Sequence, residues 1–317
     1  MKDVIGGGMK FNQLRALLAV ASAGSIQEAA RLMHLTQPAL SKSIRELERE
    51  LGVPLLVRSA KGATLSPYGM MIAKRSRAIQ KEVDKIHEEI DSLRGELSGR
   101  VSIGLTPPSG GVQLADAISV FRRERPSVEL QLLELRPAQI TEGLRDGSLD
   151  LGLISHYGEA GITGFKCSKL YSMESLLAIG GKRANPNVSV EELSELEWLA
   201  LDGPDDPNGY IATLFSQFNL PMPTRVVRCS SITLYVELGA RLNAVTHWGE
   251  MAFGALNAAF VDGRMTRLVL AATMPRLNVS LVYQDEELLT PAATRLVQLL
   301  EASVSKHGSR GDRMRSA

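Results

Sequence analysis

The sequence predicts a small helical N-terminal unit, one long helix, and a larger α/β unit of two lobes. Three observations predict it. Up to about position 97 the apolar residues recur at helical spacing. From 101 to 304 short apolar runs alternate with helical stretches, the pattern of sheets covered by helices, and parallel strands are expected there. The charge also changes sign between the two parts. Residues 10–100 hold 15 Lys and Arg against 10 Asp and Glu, and residues 101–304 hold 16 against 23. The basic excess of the first part suits a polyanionic partner, which the overall net charge of +1 conceals.

The 317 residues, 44% hydrophobic and 22% charged, are enough for more than one buried core and argue against disorder. Cys167 and Cys229 form no disulfide framework, which favours a reducing compartment. The first residues carry no apolar leader core, and no run reaches the ~18 apolar residues of a membrane span. A cytoplasmic protein without membrane contact is expected. GxSxG, GxxxxGK[ST] and HExxH are absent and the five histidines are scattered, so no catalytic residue, cofactor or metal site is expected.

Residues 1–9, with Gly6–Gly8 ahead of a second methionine, read as a flexible extension. Phe11, Leu14, Leu17, Leu18 and Ala21 follow helical spacing, and Gly24 ends that helix. Ser25 and Glu28 form a capping box that starts a short helix with Ala29 and Ala30 on a small-residue face. Thr36 caps a third helix, with Pro38 in its first turn. Leu40, Ile44, Leu47 and Leu51 make its apolar stripe. Gln37, Ser41, Lys42 and Arg45 make the opposite face. That arrangement is a helix-turn-helix spanning about 25–44, whose polar face can read base edges in a major groove. Residues 53–69 read as two short strands around Lys61-Gly62, a basic wing.

Pro67 opens a helix running to about Arg94. Ile79, Val83, Ile86, Ile90, Leu93 and Leu97 are spaced 4, 3, 4, 3, 4 among charged residues, a heptad seam fit for dimerisation. Two-fold assembly suits two-fold DNA half-sites. Strands are then expected at Val101–Leu105, Val128–Leu135 and Leu149–Ile154, with helices at Val112–Glu124 and near Ala138–Arg145. The C-terminal ends of such strands mark the ligand crevice.

The run from Ser25 to Gly69 resembles the N-terminal domain of LysR-type transcriptional regulators. Gly24, Ser25, Ala29, Ala30, Thr36, Gln37, Pro38, Ala39, Leu40, Ser41, Leu47, Glu48, Leu51, Gly52, Leu55, Arg58 and Gly69 match the family pattern. Leu56 stands where the family usually has Phe, and Ser66 where it has Thr. The resemblance extends to about residue 304. It implies a winged helix-turn-helix at 10–67, a linker and dimerisation helix at 68–97, and a two-lobed, type 2 periplasmic-binding-protein-like effector domain at 101–304. Lobe I would take 101–170 and 276–304, lobe II 171–275, and residues 305–317 would be a disordered tail.

By the same resemblance Ser25, Thr36, Gln37, Pro38, Ser41, Lys42 and Arg45 face DNA, with Arg58 and Lys61 on or near the wing. Thr106, Pro107, Ser109, Arg136, Asp202, Ser230, Ser231, Thr246 and His247 are the matching effector positions. Ser230-Ser231 opens a helix whose amides favour an anion. Arg241 and Thr246 replace a Gly and a Pro usual in the family. The implied partners are promoter DNA, a small organic acid (aromatic or otherwise), further copies of the chain as a dimer or tetramer, and RNA polymerase if the protein activates. The competing reading is a two-lobed small-molecule-binding protein or enzyme without a DNA function.

Overall fold

The computed structural model describes residues 8–59, 62–94, 98–158, 162–201, 203, 209–249 and 253–314. Residues 1–7, most of the expected N-terminal extension, lie outside them, as do Lys61, Leu97 and Asp202.

The N-terminal unit packs α1 (Phe11–Ala23), α2 (Ile26–Leu32) and α3 (Gln37–Leu51) around Leu17, Ala30, Leu40, Ile44 and Leu47, all buried. Gly24 ends α1 in the left-handed region at φ +68°, as its position after the apolar stripe required. The Ser25 hydroxyl caps α2 by accepting from the Glu28 amide at 3.1 Å. The other half of the expected capping box is replaced: the Glu28 carboxylate pairs with Arg31 at 2.6 Å. Both carboxylate and guanidinium are charged, so that contact outcompetes a single neutral amide. The wing is β1 (Leu56–Ser59) antiparallel to β2 (Gly62–Leu65). Glu48 on α3 accepts from the Leu55 and Leu56 amides at 2.8 and 3.2 Å, which fixes the wing to the third helix.

Ser66 opens α4 (Pro67–Leu93). Its hydroxyl donates to the Pro54 carbonyl at 2.6 Å and accepts from the Gly69 amide at 3.0 Å. Serine therefore does here what the family's threonine would do. A Cβ on Gly69 would lie 2.1 Å from the Leu55 carbonyl oxygen, so only glycine admits this close helix–wing approach.

The effector domain has two sheets. The first runs β4 (Glu129–Glu134), β3 (Arg100–Leu105), β5 (Leu151–Tyr157), β13 (Leu277–Tyr283), β6 (Lys166–Met173). Helices α5 (Val112–Glu124), α6 (Pro137–Asp146) and α11 (Pro291–Met314) accompany it. The second runs β10 (Val226–Arg228), β9 (Trp198–Ala200), β11 (Val245–Gly249), β7 (Ser175–Gly180), β12 (Met265–Leu270), β8 (Asn187–Val188). Helices α7 (Val190–Glu195), α8 (Tyr210–Gln217), α9 (Ile232–Arg241) and α10 (Phe253–Val261) lie between its strands in sequence.

Three expectations are corrected. The sheets are mixed: β3 is parallel to β4 and β5, but β13 runs antiparallel to β5 and β6, and β7 antiparallel to β11 and β12. Parallel pairs arise where a helix carries the chain back, whereas the strands entering and leaving a lobe need no crossover. The first lobe boundary shifts from 170/171, inside β6, to Glu174 between β6 and β7. The expected disordered tail instead extends α11 to Met314. Propagating a helix that has already formed adds one hydrogen bond for each residue fixed, so a packed helix can run past its last apolar position.

One face of α4 is fastened to lobe I. Arg77 pairs with Asp146 at 2.9 Å, and Lys81 with Asp150 at 2.7 Å and with the Leu149 carbonyl at 2.9 Å. Lys85 donates to the Glu287 carbonyl, and Asp91 accepts from the Ser98 hydroxyl at 2.6 Å. Glu88, buried, accepts from the Ala292 amide at 3.3 Å in the first turn of α11. Its burial pushes the carboxyl up, partly offset by hydrogen bonds from Thr290, Ala292 and Arg100. Around the helix these residues lie about 180° from Ile79, Val83, Ile86, Ile90 and Leu93, at 100° per residue. Ile79, Ile86, Ile90 and Leu93 are exposed within one chain. A groove of about 730 Å³ runs beside the fastened face.

Asp150 also accepts from the Ser102 amide at 2.8 Å. Asp150→Ala should therefore lower stability by about 1–3 kcal/mol, because Lys81 and that amide both lose their acceptor. Denaturant unfolding that changes by less than about 0.5 kcal/mol would show the contact to be energetically idle.

Candidate nucleic-acid interface and effector cleft

Thr36 caps α3, its hydroxyl accepting from the Ala39 amide at 3.3 Å. His34 turns the chain before it with φ +54°. Gln37, Ser41 and Arg45 stand one turn apart on one face, with Lys42 beside them. Gln37, Pro38, Lys42 and Arg45 are exposed, and Ser41 and Ser25 half-buried. Arg45 donates from Nε to the Ser41 carbonyl at 3.2 Å, leaving its terminal guanidinium nitrogens toward solvent. Lys42 is 4.0 Å from Glu46, a loose exposed pair that costs little to break. The result is a capped, rigid helix with amide, hydroxyl and basic groups in a row. That is the donor and acceptor set a major groove accommodates. Arg58 pairs by its backbone with Ala63 across the wing, and Lys61 lies outside the described residues.

In the effector domain the expected positions divide. Thr106 is buried at the end of β3, its hydroxyl 2.8 Å from that of Ser155 and accepting from the Ser155 amide at 2.9 Å. Ser109, fully buried, donates to the Thr106 and Leu153 carbonyls at 2.7 and 3.0 Å. Both hydroxyls brace the loop, with Pro107 half-buried between them and Tyr171 Oη donating to the Ser109 carbonyl at 3.2 Å. Thr246 is corrected outright as a ligand contact. It is fully buried on β11, donating to the Ala178 carbonyl at 3.0 Å and accepting from Trp248 Nε1 at 2.7 Å. A hydroxyl replacing the family's proline is thus consumed inside the sheet. Arg136, ahead of α6, and Ser230, just before α9, are placed differently: both are exposed. Ser231 caps α9 by accepting from the Leu234 amide at 3.3 Å. Asp202 lies outside the described residues.

His247 is the expected residue around which the two lobes meet. Its ring stacks on Tyr210 from the start of α8, centroids 3.7 Å apart and planes 16° apart. Nε2 is 2.8 Å from Tyr157 Oη, at the end of β5 in lobe I, and 3.2 Å from Ser175 Oγ at the start of β7. Ser175 donates its one hydroxyl hydrogen to the Pro275 carbonyl at 2.8 Å, bracing the two chain crossings between lobes. Ser175 must then accept from His247, which assigns the proton to Nε2. The His247 amide donates to Tyr235 Oη at 2.9 Å, and Tyr235 donates to the His247 carbonyl at 3.0 Å. Burial pushes His247 down to about 3, so the ring is neutral, and pushes the Tyr210 phenol up. The sequence reading missed Tyr157, Ser175, Tyr210 and Tyr235. It ended β5 at Ile154, and three more residues bring the strand to Tyr157, where a crevice residue is expected.

Among the described residues no group of His, Cys, Asp and Glu could hold a metal ion, and no helix is long and apolar enough to cross a membrane.

Stability should fall as pH falls, through His247. The unfolded chain takes up a proton near the ordinary 6.5 while the folded ring resists until about 3, so each step down between them favours unfolding. His156, also pushed down by burial, adds in the same direction. His247→Gln should flatten melting temperature against pH between about 6.5 and 3. Parallel curves for the two proteins would mean that His247 is protonated in the folded chain.

Comparisons with known proteins agree with this arrangement. Residues 11–70 match the family described as bacterial regulatory helix-turn-helix protein, lysR family, and residues 94–305 match the LysR substrate binding domain. The chain is 25% identical over 304 residues to the HTH-type transcriptional regulator TdcA of Escherichia coli K12, covering 95% of each. It is 28% identical over 301 residues to the nitrogen assimilation regulatory protein nac of the same strain, covering 94% of this chain and 96% of that one. Its fold is similar to a full-length OxyR variant from Pseudomonas aeruginosa, with TM-score 0.70, 20% identity, and 94% and 95% of the chains covered. It is also similar to full-length CbnR complexed with its target DNA, with TM-score 0.61, 19% identity, and 93% and 100% covered.

Proposed function

This chain belongs to the LysR family of transcriptional regulators, and we propose that it reads promoter DNA through α3 under the control of a small organic anion held between its lobes. The family is non-enzymatic, so the chain is a DNA-binding regulator with an effector-binding domain rather than an enzyme. A regulator working on promoters acts in the cytoplasm.

One observation carries the reading: the row of Gln37, Ser41 and Arg45 on the open face of a helix held at both ends, by Thr36 and by Glu48. Gln37 suits an adenine edge, Arg45 a guanine edge or a phosphate, and Ser41, Thr36 and Ser25 the backbone. Lys42, Arg58 and Lys61 add phosphate contacts, and Pro38 stiffens the first turn. The uncovered seam from Ile79 to Leu93 pairs the linker helices of two copies, and two such dimers make the tetramer. RNA polymerase is the further partner if the protein activates.

For the effector, the Thr106–Ser109 loop and Pro107 form one wall, and Ser230, Ser231 and His247 the other. Arg136 lies toward the rim, and Asp202 is a further candidate contact. Support comes from the first turn of α9, whose amides favour negative charge.

Gln37→Ala tests the reading. Specific operator binding should weaken by roughly 1–3 kcal/mol while affinity for random DNA stays nearly constant. Equal loss on both would make Gln37 a phosphate contact, and unchanged binding on both would remove α3 from the base-reading surface.

A further inference from the structure

Five segments converge on the His247 imidazole and its backbone: the end of β5 through Tyr157, the start of β7 through Ser175, α8 through Tyr210, α9 through Tyr235, and the 275–276 crossing through Ser175. Only Tyr157 in this set belongs to lobe I. Its phenol is 2.8 Å from Nε2 and its ring meets both Tyr210 and His247 edge-on, at 5.2 and 5.6 Å. The remaining contacts are internal to lobe II or to the two crossings. A change in the angle between the lobes therefore strains the Tyr157 contact.

We propose that the Tyr157–His247 hydrogen bond is a latch that holds the two lobes together, and that an effector bound between the lobes acts by releasing it. The inference deepens the effector reading given above and rests on it for the ligand's location. The latch itself needs no ligand. Ser175 cannot release the imidazole, because its own hydrogen is committed to Pro275. Tyr235, gripping the His247 amide and carbonyl together, ties α9 to the same position, so releasing the phenol is felt at the helix that Ser231 caps.

The test is a double-mutant cycle on the full chain: Tyr157→Phe, His247→Gln and the pair, each unfolded by denaturant without ligand. The unfolding constants should be non-multiplicative by about fivefold to tenfold, the size of one neutral hydrogen bond. Hydrogen exchange then locates the effect. In Tyr157→Phe, peptides spanning 155–158 and 245–249 should exchange about fivefold to tenfold faster, while peptides of the helix-turn-helix and of β3 and β4 keep their rates. Multiplicative constants would overturn the latch, and so would faster exchange spread evenly over the effector domain, which would make Tyr157 an ordinary core residue. Both readouts are independent of DNA and effector, so failure of the regulator reading would leave them standing.

Discussion

The polar face of α4 is the contact on which the rest depends. A reading head and an effector domain in one chain influence each other only if the segment between them is stiff and gripped at both ends. At its start α4 is gripped by Ser66 and Gly69 against the wing. Along its length Arg77, Lys81, Lys85 and Glu88 hold it to lobe I. The Lys81–Asp150 and Arg77–Asp146 pairs are partly shielded from solvent, which raises their worth above that of ordinary surface pairs. The same helix keeps an isoleucine-rich stripe on its far side. It therefore faces its own effector domain with charge and leaves its apolar surface open for the proposed second copy, so the two contacts would not compete.

In the effector domain the chain passes twice between lobes, and Ser175 joins the two passages by its bond to Pro275. Beside that brace the aromatic groups Tyr157, His247, Tyr210, Trp198 and Phe215 form a continuous series from the cleft into the core of lobe II. Packed rings do not deform gradually, so a change at Tyr157 or His247 passes into lobe II as a shift of whole side chains. Lobe I, fastened to α4, is the body relative to which that shift is expressed.

Much of this was legible in the sequence because local rules decided it. Gly24 and Thr36 mark helix ends through backbone geometry that depends on neighbours alone, and the Leu40–Ile44–Leu47 stripe names its own buried face. The a/d seam was equally plain, since periodicity is a one-dimensional property. What escaped needed three dimensions. Glu28 chose Arg31 over its capping partner because two acceptable local contacts were in reach. Thr246 looked available for ligand, yet Trp248 and Ala178 use both sides of its hydroxyl. Tyr157 and His247 are 90 residues apart and no spacing rule joins them. Likewise the polar ladder of α4 reads as an ordinary solvated face until Asp146 and Asp150 are seen opposite it.

Sedimentation of Ile86→Asp, read beside operator binding, tests most directly the claim that α4 serves its own chain with one face and a second copy with the other. The carboxylate would have to be desolvated without a partner in a paired seam, yet it lies on the exposed side, away from Lys81 and Glu88. The account predicts folded monomers with their effector domain intact and specific operator binding lost. An unchanged assembly that still binds its operator would contradict it, and would place the contact between copies elsewhere on the chain.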